Sequence, residues 1–155
     1  MNDPKASSEK SAPFFGVPSL SSCLLLGYLT GSFAGFVVGF LALQLSKTVK
    51  MDSTNQMLGV VMIFGLAGGI LGLALGVLHR VLSSQLRHTP PVLIGFGLFT
   101  LAGLALALFG GDLEVTKVVL TVAPFSVAGS LFGIGAGRAA EIGAAKSNAL
   151  DDNEA

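Results

Sequence analysis

Phe64-Gly65-Leu66-Ala67-Gly68-Gly69-Ile70-Leu71-Gly72-Leu73-Ala74-Leu75-Gly76 decides the fold. The stretch holds no charge, and Gly68, Gly72 and Gly76 stand four apart, so on a helix they share one face. An apolar helix with such a bare stripe lets another backbone come close, which is how helices grip one another in lipid. A second copy follows as Phe125-Ser126-Val127-Ala128-Gly129-Ser130-Leu131-Phe132-Gly133-Ile134-Gly135-Ala136-Gly137. Phe64/Phe125, Ala67/Ala128, Gly68/Gly129, Gly72/Gly133 and Gly76/Gly137 coincide in it.

Composition agrees with a membrane chain. Apolar residues make up 52% and charged residues only 12%, about half the charged share of an average soluble domain. The mean hydropathy is +0.77. Formal net charge is zero and no stretch is densely basic, so nucleic acid is not an expected partner. The single cysteine, Cys23, excludes an internal disulfide and a multi-cysteine metal site; it reads as a small buried hydrophobe.

Four uncharged or nearly uncharged runs are expected to span a bilayer: about 20–45, 57–78, 92–109 and 115–136. The first carries Gly27, Gly31, Gly35 and Gly39, again four apart. Residues 1–18 read as a flexible tail rather than a secretory signal or a presequence. Residues 19–140 form the membrane domain, and 141–155 an acidic tail ending in Asp151-Asp152-Asn153-Glu154. Ser46 to Gln56 and Gly110 to Glu114 are connectors. His79-Arg80 and Arg87-His88 bracket another, closed by Thr89-Pro90-Pro91, and read as basic flanks of a span rather than a metal site. Pro124 falls inside the fourth run, and Arg138 and Glu141 are spaced to pair on one helix face.

The expected fold is therefore an all-α integral membrane protein, its four transmembrane helices arranged as two glycine-rich hairpins. The repeat would relate the hairpins by a parallel pseudo-twofold about the membrane normal. Lys5, Lys10, Arg80, Arg87, Arg138 and Lys146 fall on the side of the termini, and Lys47, Lys50 and Lys117 on the other. The positive-inside bias puts both termini in the cytoplasm or its equivalent.

Chemistry is sparse. Apart from Lys117 at a margin, the four runs contain no Asp, Glu, Lys, Arg or His, the groups that build proton relays, ion sites and catalytic centres in membranes. No catalytic residue, cofactor site or metal site is expected. The hydroxyls of Thr30, Ser32, Thr100, Thr121, Ser126 and Ser130 read as bonding to their own or neighbouring backbones.

Two resemblances accompany these patterns. Ala12-Pro13-Phe14-Phe15-Gly16-Val17 with Ser21-Ser22 resembles the start of the proteolipid subunit of vacuolar-type ATPases, a doubled glycine-rich hairpin of this length. That family's proton-binding carboxylate has no counterpart here, where the fourth run reads Phe125-Ser126-Val127, so proton translocation is not implied. The Gly27/Gly31/Gly35/Gly39 spacing in a four-span chain is also similar to the mitochondrial inner-membrane translocase family.

The expected function is structural, assembly or accessory, exerted without catalysis through a glycine zipper. The packing residues are Gly27, Gly31, Gly35, Gly39, Gly68, Gly72, Gly76, Gly129, Gly133 and Gly137. The bilayer and either other membrane subunits or further copies of the chain are the expected partners. The alternative is a small channel, carrier or translocase-like protein for uncharged cargo.

Overall fold

Each apolar run must satisfy its own backbone hydrogen bonds once it leaves water, and a helix does this within one segment. The computed structural model describes residues 15–45, 54–109 and 114–151, and they are all-helical apart from short connections. The helices are α1 (Leu20–Leu45), α2 (Thr54–Gln85), α3 (Pro91–Phe109) and α4 (Val115–Asp151). Each is long and apolar enough to cross a membrane, the arrangement of a multi-pass membrane protein.

Apolar side chains surround the helices instead of lying on one face. Leu25, Phe33, Ile63, Leu66, Leu101 and Leu131 are all exposed on the outside of the bundle. With lipid outside, burying such residues brings little gain, so the interior is selected by fit.

Neighbours in sequence pack most closely, α1 on α2 and α3 on α4; α1 also lies against α4, and α2 touches α3 lightly. Four helices joined in this ring form an up-down bundle. Its core is Cys23, Ala34, Leu75, Phe99, Phe125, Ala128, Phe132 and Ala136. Small and aromatic residues alternate there, so the rings fill what the small residues leave open.

Two helices outrun the expected spans. α2 continues past Leu78 to Gln85, and α4 past Ala136 to Asp151. Polar residues do not end a helix; they only mark where hydrocarbon stops. By contrast α3, at 19 residues, is about 28 Å long at 1.5 Å per residue, close to the roughly 30 Å hydrocarbon thickness. α4 passes through Pro124 without interruption.

Candidate functional site

The glycines form two seams. A Cβ built on Gly27 or Gly31 would run into the carbonyl oxygen of Gly72 or Gly68 respectively, and one on Gly35 into that of Phe64. The contact is reciprocal: a Cβ on Gly68 or Gly72 meets the carbonyl of Gly31 or Gly27, and one on Gly76 that of Cys23. The two backbones are thus in direct contact over three turns. Gly39 ends this seam against the Phe64 ring rather than backbone, with Phe64 Cβ at 2.8 Å from the built Cβ.

In the second seam, Cβ atoms on Gly95 and Gly129 each meet the other's carbonyl oxygen, and one on Gly133 would lie 2.5 Å from Val92 Cα. Gly137 is roomier, its nearest neighbour being Pro91 Cγ at 3.6 Å. Gly95 belongs among the contact residues although no regular glycine spacing marks it in the sequence. Two glycines inside the opening stretch also receive side chains, Gly65 that of Phe36 and Gly69 those of Tyr28 and Ser32.

Polar groups inside the bundle are engaged. Thr100 and Ser126 hydroxyls lie 2.8 Å apart across α3 and α4, and Ser126 also donates to the Val122 carbonyl at 3.0 Å. Thr30 donates to Leu26 O at 2.7 Å and Ser130 to Ser126 O at 3.0 Å, each within its own helix. Cys23 is fully buried, as its surroundings in the sequence suggest.

His79 departs from the expectation. Rather than flanking a span at the interface, it lies on continuous helix with no exposed surface. One ring nitrogen, Nε2, is 3.2 Å from the Pro91 carbonyl, and Nδ1 is 3.4 Å from the Ser83 hydroxyl. Phe132 meets the ring edge-on, with centroids 4.8 Å apart and planes at 86°. His79 therefore ties α2 to the start of α3 and to α4. A signal was present: Leu75, His79 and Ser83 stand four apart, and all three are buried on one face. Among the described residues no cluster of three metal-ligating side chains occurs.

The same end of the bundle carries a cleft of about 280 Å³. Residues 15–18 belong to the tail in the sequence reading, yet Phe15 and Gly16 line this cleft. Phe15 donates its backbone N–H to Arg87 O at 3.1 Å, Pro18 is fully buried, and Gly16 packs on Ala140. Phe15, Pro91, Val92 and Ile134 give the cleft apolar walls, and Arg138 and Glu141 supply its charges. Arg138 and Glu141 do not form the expected ion pair. Among the described residues the salt bridge present is Lys117 to Glu114 at 3.4 Å, exposed at the far end of α4.

No family model matches the chain, and neither a curated protein nor a solved structure is significantly similar to it.

Proposed function

We propose that the protein is a non-catalytic membrane component with a structural, assembly or accessory role, built to hold a compact helical unit against other membrane subunits or further copies of itself. One observation carries this reading. The rings of Phe99, Phe125 and Phe132 are buried in the core, and the hydroxyls of Thr100, Ser126 and Ser130 are bonded to one another or to backbone. A path for solute needs polar groups facing an open lumen, and a catalytic site needs ionisable groups in a cavity. Affinity purification of the full chain in mild detergent should bring down a defined membrane partner or a homo-oligomer. The same protein alone in liposomes should pass no uncharged solute faster than empty vesicles. Flux through the purified protein would replace this reading with that of a channel or carrier.

The bundle is read here as two glycine-rich hairpins related by a pseudo-repeat. Support comes from matching contacts: Gly68 on Gly31 corresponds to Gly129 on Gly95, and Gly72 on the Gly27 carbonyl to Gly133 on the Pro91 carbonyl. The second helices thus correspond at the sequence offset of Phe64 and Phe125, while the first helices correspond at an offset three residues longer. The connector between Leu45 and Thr54 is also three residues longer than that between Phe109 and Val115. A length difference in the connector shifts one helix of the pair without disturbing the seam.

Both termini are placed in the cytoplasm by the distribution of basic residues. Reporter fusions after residues 15, 52, 86, 113 and 150 should alternate in side, with the first and last cytoplasmic. Termini on opposite sides would remove one span from the bundle.

A further inference from the structure

The cleft at the α2–α3 end has the wrong chemistry for a simple crevice between lipid-facing helices. Its walls are apolar, yet Arg138 and Glu141 both line it, one turn apart on α4, exposed, and without an ion pair to each other. Opposite charges at this spacing attract by only about 0.2–0.5 kcal/mol, and arginine N-terminal to its glutamate is the weaker order, so the two side chains stay apart. Here they are open to a ligand carrying a negative and a positive group side by side.

The level in the membrane narrows the choice. Because α3 is about as long as the hydrocarbon layer is thick, its first residues, Pro91 and Val92, lie where hydrocarbon gives way to headgroups. They form the wall of the cleft, so the positive end of the α3 dipole faces it, and Val92 carries the first backbone N–H of that helix. An anionic phosphate is favoured at such a terminus and beside a guanidinium. α4 extends beyond Pro91's level and brings Glu141 past Arg138, away from the hydrocarbon.

From this arrangement we infer that the cleft binds a zwitterionic phospholipid with a primary amine in its headgroup. The phosphate sits between Arg138 and the start of α3, the ammonium donates to the Glu141 carboxylate, and an acyl chain lies along Phe15, Val92 and Ile134. A primary ammonium has three N–H donors for the carboxylate, whereas a quaternary ammonium has none. The site should therefore separate two lipids of equal net charge.

The test uses the full chain reconstituted in vesicles of equal parts phosphatidylethanolamine, phosphatidylcholine and phosphatidylglycerol. After extraction in mild detergent and washing, retained lipid is quantified by mass spectrometry. The ethanolamine lipid should be enriched about fivefold over the choline lipid, a contrast within the range of one charge-assisted hydrogen bond. Glu141→Gln should bring that ratio to about one while phospholipid is still retained. Arg138→Gln should lower retention of all three lipids about tenfold. Soluble phosphoethanolamine should not displace the lipid at equal concentration, because it lacks the chain. No preference for the ethanolamine lipid in the wild-type protein overturns the proposal, as does a preference that survives both substitutions. Strongest retention of phosphatidylglycerol would mean a plain anion site, and displacement by phosphoethanolamine a site for a soluble solute; either result also overturns it.

Discussion

Replacing Gly72 by leucine is expected to drive α1 from α2 and to lower the thermal midpoint of the purified protein by about 6–12 °C, the shift corresponding to roughly 3 kcal/mol in a chain of this size. The built Cβ alone already meets the Gly27 carbonyl oxygen, lies 2.8 Å from the Gly27 carbonyl carbon and 3.0 Å from Gly31 Cα. All of these are backbone atoms of one helix, so no side chain can turn aside to make room. α1 must move bodily, and the movement also opens the contacts of Gly31 with Gly68 and of Gly35 with Phe64. Gly35→Leu should act similarly for the same reason. The matched control is Gly97→Ala on α3, where a Cβ meets nothing within 4 Å. There the better helix propensity of alanine should leave stability unchanged or raise it by up to about 1 kcal/mol. Thermal unfolding in one detergent compares the variants directly, and equal tolerance at Gly72 and Gly97 would show that the seam does not hold the hairpin together.

The contrast between Gly72 and Gly97 also marks what could be read from the sequence. Four apolar runs were plain because a span needs length and the absence of charge, both visible residue by residue; the first run coincides with α1. Gly72 stood out through its regular spacing with Gly68 and Gly76. Gly95 did not, because its partner Gly129 lies on another helix and single-sequence spacing carries no information about distance between helices. Helix ends were hidden for a different reason. Arg80 and Glu141 signal the edge of the hydrocarbon, while the backbone beyond them stays hydrogen-bonded and helical to Gln85 and Asp151. The cleft was not legible at all. It needs Phe15 and Gly16, the start of α3 and the end of α4 to meet, three segments far apart in sequence.

His79 reads as a span boundary in the sequence and is a joint between helices in the structure. Its replacement by alanine is expected to cost about 2–4 kcal/mol, the sum of a cavity beside Phe132 and the loss of the bond to the Pro91 carbonyl. Two further variants separate those causes. His79→Leu fills much of the space but offers no donor. His79→Gln fills less well, yet its amide N–H can still donate to the Pro91 oxygen. The Ser83 hydroxyl discriminates little between them, since it can bond back to a carbonyl of its own helix when the ring is gone. The edge-on contact with Phe132, worth about 0.5–1.5 kcal/mol, is lost in both. The remaining difference is the tie between α2 and the first residue of α3, two helices that otherwise touch lightly. If that tie is what His79 provides, glutamine should unfold at a higher temperature than leucine, and leucine at a higher temperature than alanine. Leucine equal to or above glutamine would make His79 a space-filling residue whose polar contacts are incidental. The structural role also requires that a folded His79→Gln protein complement a deletion strain. Normal abundance with failed complementation would assign the ring a chemical task and overturn the non-catalytic reading of the bundle.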